Sequence, residues 1–356
     1  MSFTFKQEES KLLINDYCPK SLDDIIGQNN IVDLINSYNK FDYIPNMIIT
    51  GPHGVGKSSI ANIIINNHLN DIKKYACLKI IGSIYRGKDI ITENLTKKQT
   101  SKTDQYPNII KFIKKSMILP ENKTKIILIY DFDCMTTDAQ MALRRLMETY
   151  SNRVRFIFLC NNLNNIIEAI QSRTTIINLV TISHEDIITK LKEIINLLIT
   201  YRLSITNQLS INNNLSITDQ VLSHISTISN GDLRNAINML QIFMNSENKT
   251  LTEFYEIFNV PSIEIITSII KHCNNNKYQL AINELDKLID DGFNIFDITD
   301  ILIKVIKIPS LFNKKSEHIR AYYINEIIKF NLIIQETSEL IHLYNLIGTL
   351  SLYKSN

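Results

Sequence analysis

The chain has 356 residues, 21% of them charged, and a formal net charge of +2. That length suffices for two or three domains with sizeable cores. The balanced charge excludes a wholesale polycation, so any nucleic-acid contact must come from local patches.

Five cysteines (Cys18, Cys77, Cys134, Cys160, Cys273) form no C-x-x-C pair, and the seven histidines do not cluster with them. A zinc site is therefore not expected, and free thiols fit a reducing compartment. The first thirty residues carry Lys6, Glu8, Glu9 and Lys11 and no apolar stretch of signal type, so no secretory signal is expected. No apolar run reaches about 18 residues, so no membrane span is expected either.

In chain order, Met47–Thr50, Ala76–Ile81, Ile126–Tyr130, Arg155–Cys160 and Thr175–Leu179 read as five buried strands. Helical stretches such as Ser58–Asn70 and Asp138–Tyr150 lie between them. This alternation predicts an α/β domain built on a parallel sheet covered on both faces.

After about residue 180 the strands stop. Ser183-His184-Glu185-Asp186 has the form of a capping box, and Ile187, Leu191, Ile194, Ile195 and Leu198 follow at helical spacing. Leu203–Gln220, with its LSIT, LSIN and LSIT, reads as an extended polar loop. Helices are predicted over Asp219–Ser229 and Asp232–Asn245, then a linker over Ser246–Thr252. Further helices follow over Ser262–Cys273, Tyr278–Asp291 and Ile295–Ile308, and two long ones after Lys315, with Gly292 and Pro309 as punctuation.

Gly51-Pro52-His53-Gly54-Val55-Gly56-Lys57-Ser58 fits G-x-x-x-x-G-K-[ST] at every fixed position, between a strand and a helix, the context the motif requires. The glycines let backbone N–H groups turn inward around phosphates, and the helix N-terminus adds positive potential. Lys57 is expected to reach the β- and γ-phosphates, Ser58 to face Mg²⁺, and Ser59 to complete the ATP-binding turn. Ile126–Tyr130 then ends in Asp131, the acid expected to hold Mg²⁺.

The run Asp131-Phe132-Asp133-Cys134-Met135-Thr136-Thr137-Asp138-Ala139-Gln140-Met141-Ala142-Leu143-Arg144-Arg145-Leu146-Met147-Glu148 resembles D-E-x-D…M-T…A-Q…A-L-R-R-x-M-E of the small subunits of replication-factor-C-type sliding-clamp loaders, which are AAA+ ATPases. In that register Phe132 stands where the family has the glutamate that polarises the attacking water. A phenyl ring can neither accept a proton nor orient a water. On an extended strand Asp133 would share a face with Asp131 and so would not replace the glutamate.

Other segments carry the same resemblance. Arg155–Asn162 is similar to the family's sensor strand, which assigns the γ-phosphate contact to Asn161. Ile166-Ile167-Glu168-Ala169-Ile170-Gln171-Ser172-Arg173-Thr174 is similar to I-I-E-P-I-Q-S-R-C, which makes Arg173 an arginine finger toward the ATP of a neighbouring subunit. Gly231-Asp232-Leu233-Arg234-Asn235-Ala236-Ile237-Asn238-Met239-Leu240-Gln241 is similar to G-D-M-R-x-A-L-N-x-L-Q, and implies that Arg234 reports on the phosphates. Lys20–Gln28 looks like the family's N-terminal box near the adenine. The sequence departs from the pattern at Cys18, where arginine is usual, and at Ile84 and Tyr85, which replace acids in the segment of Ser83, Arg86 and Gly87.

The resemblance implies an AAA+ phosphate-loop domain over residues 1–180, an all-helical lid over 181–248 and a helical oligomerising collar over 249–356. It implies ATP and Mg²⁺ as ligands. Its partners would be other loader subunits in a hetero-pentamer, a sliding clamp and primer-template DNA, with no membrane, at intracellular replication sites in a nucleus or a viral compartment. DNA would be followed by its phosphates. Lys97, Lys98, Lys102, Lys111, Lys114 and Lys115 are candidate contacts, and Arg144 and Arg145 candidates for coupling the ring interior to the ATP sites. Hydrolysis at its own site is expected to be weak. A non-hydrolysing scaffold subunit and another AAA+ DNA motor, of branch-migration or initiator type, are the competing readings.

Overall fold

The computed structural model describes residues 12–40, 44–87, 108–117, 119–120, 123–206, 217–246, 249–307, 317–337 and 339–351. Of the candidate lysines, 97, 98 and 102 lie outside these residues. Contacts divide the chain into two compact units, Met1–Asp186 with Gly231–Arg234, and Ile187–Asn230 with Asn235–Asn356.

The first unit runs α1 (Leu13–Asp16), α2 (Asn29–Lys40), β1 (Met47–Thr50), α3 (Lys57–Leu69), α4 (Lys73–Ala76), β2 (Cys77–Ile81), α5 (Ile109–Lys114), β3 (Lys125–Tyr130), α6 (Thr137–Thr149), β4 (Val154–Cys160), α7 (Glu168–Gln171) and β5 (Thr175–Asn178). All five expected strands form, within one residue of their predicted ends. They make one parallel sheet in the order β2-β3-β4-β1-β5.

The strands alternate across the sheet as period two demands. Ile48, Ile127, Ile129, Phe156 and Phe158 join Leu143 and Met147 of α6 in one core. Met47, Ile49, Ile126, Leu128, Ile157 and Leu159 join Ile60, Ala61 and Ile64 of α3 in the other. Both faces are therefore dry, which is why the strands are near-continuous apolar runs. Lys125, buried at the start of β3, donates to the carbonyls of Phe112, Ile113 and Lys115 and so closes the end of α5.

The second unit is helical: α8 (His184–Thr206, which begins in the first unit), α9 (Asp219–Ser229), α10 (Leu233–Met244), α11 (Leu251–Phe258), α12 (Ile263–Asn274), α13 (Tyr278–Asp290), α14 (Ile295–Ile306), α15 (Glu317–Glu336) and α16 (Leu340–Ser351). Ser183 caps α8 as expected, its Oγ accepting from the Asp186 N–H at 3.2 Å. α12 packs on α13, α14 and α16, and α15 on α14 and α16.

Two expectations need correction. The loop expected from Leu203 begins later, because α8 continues through Thr206; residues 207–216 lie outside those described. The expected linker over Ser246–Thr252 is shorter, because Thr250 accepts from the Glu253 N–H at 3.3 Å and starts α11 at Leu251. A side-chain cap turned a polar stretch into a helix start. Among the described residues, no helix is long and apolar enough to cross a membrane.

Candidate functional site

The loop from Gly51 to Gly56 joins the end of β1 to α3. Gly54 has φ +69, and a Cβ there would lie 1.7 Å from Asp232 Oδ1, so only glycine allows the Gly231–Arg234 segment to lie so close. Lys57 folds back onto the loop. Its ammonium donates to Gly51 O at 2.7 Å, Pro52 O at 2.6 Å and Asn161 Oδ1 at 2.7 Å, which uses all three of its protons. Burial pushes its pKa below the ordinary lysine range. Cys160 and Asp133, and more weakly Asp131, oppose that shift, while Arg234 adds to it.

The expected residues Lys57, Asn161 and Arg234 thus share one electrostatic environment. Any phosphate that takes Lys57 must exchange at least one of its three acceptors. Cys18, in the place where the resemblance expects arginine, has its Sγ 3.6 Å from Ser59 Oγ at the start of α3.

Strand geometry stops at the end of β3. Asp131 has φ +48 and ψ +47, and a 3-10 turn over Phe132–Cys134 follows. A left-handed residue other than glycine is uncommon, though aspartate tolerates it better than most. The expectation that Asp133 shares a face with Asp131 is therefore corrected, since alternation does not continue through this turn. Phe132 is fully buried and stacks on Phe158 with ring centroids 4.2 Å apart.

Asp131 and Asp133 part in opposite directions along the sheet. Asp131 Oδ2 accepts from Ser83 Oγ at 3.1 Å, on the β2 side. Asp133 Oδ2 accepts from the N–H groups of Asn161 and Asn162 at 3.1 Å each, on the β4 side. Asp133 Oδ1 is buried without a hydrogen-bond partner. Sequence reasoning missed this role of Asp133, because it depends on a turn that residue types alone do not reveal. As for the Mg²⁺ of the resemblance, the Ser58 hydroxyl in the first turn of α3 fits such an ion. Asp131, the acid expected for it, has its Oδ2 taken by Ser83.

Arg173 lies at the other end of β5. The C-terminal end of β5 meets the phosphate loop, with the Leu179 N–H donating to Thr50 O at 2.8 Å. The four steps from Thr175 to Leu179 span about 13 Å at strand rise, so the strand separates Arg173 from its own chain's loop. Arg173 Nε pairs with Glu148 Oε1 at 2.9 Å, and its terminal nitrogen donates to Ala169 O at 2.8 Å and Ser172 Oγ at 3.3 Å.

Arg144, one turn before Glu148, approaches the same oxygen at 3.9 Å and has a buried Nε without a partner. Arg145 is exposed on α6, and Lys111, Lys114 and Lys115 are exposed around the end of α5. Gln140, fully buried, was also missed. Its amide donates to Met135 O at 3.2 Å and Asn165 O at 3.0 Å and accepts from the Ile167 N–H at 2.9 Å. It thereby ties the turn after β3 to the segment that carries Arg173. The A-Q spacing in the sequence was the available signal.

Comparison with known proteins agrees with this architecture. Residues 27–183 match the family described as DNA polymerase III, delta subunit. Residues 207–244 match the RCF1/5-like AAA+ ATPase lid domain, and residues 261–349 match the replication factor C C-terminal domain. The probable replication factor C subunit 2 of Dictyostelium discoideum is 30% identical over 95% of this chain and 90% of its own. The replication factor C small subunit of Picrophilus torridus is 31% identical over 84% of this chain and 85% of its own.

Among solved structures, the Thermotoga maritima RuvB Holliday junction branch migration motor aligns over 72% of this chain and 78% of its own. The identity is 16% and the TM-score 0.48. The residues of the phosphate loop, the lid and the C-terminal helices, together with relatives matched over nearly their whole length, give one conclusion: the chain belongs to the replication factor C small-subunit family.

Proposed function

We propose that this chain binds ATP as one subunit of a hetero-oligomeric clamp loader, helps open a ring-shaped sliding clamp, and helps place it on primer-template DNA. Its three parts would be a nucleotide domain over residues 1–180, a lid over 181–248 and an oligomerising collar over 249–356. The observation that carries this reading is the convergence of Lys57, Asn161 and Arg234 at the phosphate loop, with Arg173 at the far end of β5.

ATP acts as a conformational ligand in this reading. Lys57 exchanges its carbonyls and Asn161 for phosphate oxygens, which frees Asn161 to sense the γ-phosphate, while Arg234 carries the charge of the triphosphate to the lid. Mg²⁺ on the triphosphate supplies charge neutralisation, and the Ser58 hydroxyl is the chain's donor toward it. Gly51, Pro52, His53, Gly54, Val55, Gly56 and Ser59 shape the rest of the cradle. Arg173 serves a neighbouring subunit, where a guanidinium stabilises charge on the transferring phosphoryl group. Arg144 and Arg145 on α6 couple the ring interior, and DNA phosphates, to these sites.

Hydrolysis in the chain's own site is weak, since Phe132 belongs to the core and Asp131 is tied to Ser83. Those same two observations favour the second reading, a scaffold subunit that does not hydrolyse ATP. Two variants of the assembled complex separate the readings. Lys57→Ala should abolish ATP binding to this chain. Arg173→Ala should leave that binding intact and lower hydrolysis by the complex. If complex hydrolysis ignores Arg173→Ala, the trans role is wrong.

A further inference from the structure

We propose that this site takes a nucleoside triphosphate without a protein carboxylate on the accompanying divalent cation, because Tyr130 occupies the position from which that carboxylate would act. The proposal rests on the nucleotide reading and deepens it.

The placement of Tyr130 follows from the two cores. Ile126 and Leu128 of β3 belong to the core shared with α3, and Tyr130 packs against that same core. Ile127 and Ile129 belong to the opposite core, and Phe132 joins them there. α3 contacts β1, β3 and β4 and begins at Lys57, directly after the phosphate loop. In a parallel α/β unit the helix N-terminus lies over the C-terminal ends of the strands, which is where ligands bind. The last β3 residue on the α3 face is therefore the one beside Lys57 and Ser58, and that residue is Tyr130.

A phenol offers a hydroxyl, not a carboxylate's pair of charged oxygens. It cannot stand in for a carboxylate toward a hard cation that prefers charged oxygen ligands.

The two neighbouring acids are each engaged elsewhere through one carboxylate oxygen. The left-handed φ of Asp131 breaks the strand's alternation, and its carboxylate is bonded to Ser83. Ser83 follows β2, the edge strand, which β3 and β4 separate from β1. Asp133 is engaged by two backbone N–H groups at the end of β4, where it fixes the position of Asn161.

The sequence pattern admits a second register that agrees with this placement. A four-residue D-E-x-D box that ends at Asp133 reads Tyr130-Asp131-Phe132-Asp133, with acids in its second and fourth places. A box that starts at Asp131 would end at Cys134 and would put Phe132, a core residue, in the site. The structure thus moves the register by one. The missing group is the metal-facing acid, and Asp131 takes the water-side place with a side chain one methylene shorter than glutamate.

Calorimetric titration of the full chain with ATP, in Mg²⁺ and again in excess EDTA, tests this directly. For the wild type, the two affinities should agree within about threefold. Tyr130→Asp restores an acid on the α3 face and should bind about tenfold more tightly in Mg²⁺ than in EDTA. Tyr130→Phe keeps the packing and should leave the wild-type ratio unchanged.

Two results would overturn the proposal. One is a wild type that binds about tenfold more tightly in Mg²⁺ and loses that preference in Asp131→Asn or Asp133→Asn. The other is a Tyr130→Asp chain with wild-type circular dichroism and no gain in Mg²⁺ preference. No uptake of ATP in either buffer would bring down the nucleotide reading itself, and this proposal with it.

Discussion

The two ends of the nucleotide-domain sheet differ in how closely they follow the family pattern. Around the phosphate loop, Cys18 lies beside Ser59, Tyr130 packs against the core shared with α3, and Phe132 lies in the opposite core. Cys18 and Tyr130 depart from the pattern, whereas Phe132 falls on the free third place of the shifted box. Along α6 and the turn that follows α7, Gln140, Arg144, Glu148, Ser172 and Arg173 all keep it, and hydrogen bonds or ion pairs link most of them. In the proposed function, the residues assigned to the phosphates survive at the first end, and those assigned to a neighbouring site survive at the second. The difference teaches that holding a nucleotide, hydrolysing it and promoting its hydrolysis next door make separable chemical demands; on the proposed function, this chain meets the first and third while relaxing the second.

The largest effect expected is from Arg173→Ala in the assembled complex. It should lower hydrolysis at the receiving site by at least about 10³-fold, read as steady-state phosphate release, while ATP binding to this chain is unchanged. A complex that hydrolyses normally would break the comparison at its intact end.

Next is Phe132→Glu, which separates a lost catalytic residue from a core residue. If Phe132 merely occupied a catalytic position, the substitution would raise turnover. Because it is buried against Phe158, it should instead destabilise the domain by about 3–5 kcal/mol or more, from lost packing and a buried acid. Urea unfolding measures this directly.

Gln140→Leu should cost about 1–3 kcal/mol, since it leaves the Ile167 N–H and the carbonyls of Met135 and Asn165 without their partner. Thermal unfolding reads it, and a neutral result would mean that the link between the two ends is dispensable. The smallest effect is from Glu148→Gln. The pair with Arg173 is about two-fifths exposed on both sides, and such pairs contribute about 0–1 kcal/mol. Stability should barely move, and a hydrolysis loss as large as that of Arg173→Ala would show that Glu148 aims the finger.

Much of this was legible in the residues. The five strands, the phosphate loop and the capping of α8 are local matters, decided by period-two burial, by glycines and by a single hydroxyl. The helix start at Leu251 was less legible, because Thr250 had to be recognised as a cap inside a polar run. The one-residue register at the end of β3 could not be settled by residue types, which allowed two ways of placing the same acids.

From the sequence alone came the parallel α/β domain with its phosphate loop, the helical segments behind it, and the residues from which the family could be named, because each depends on short-range periodicity and steric demands. Only the tertiary structure decided that Tyr130 looks onto α3, that Asp131 turns toward Ser83, and that Asp133 serves Asn161. The physical reason for the two acids is one reversal of φ at Asp131. There the packing of Phe132 into the core outweighs the strand's alternation, and it redirects every side chain that follows until α6 begins.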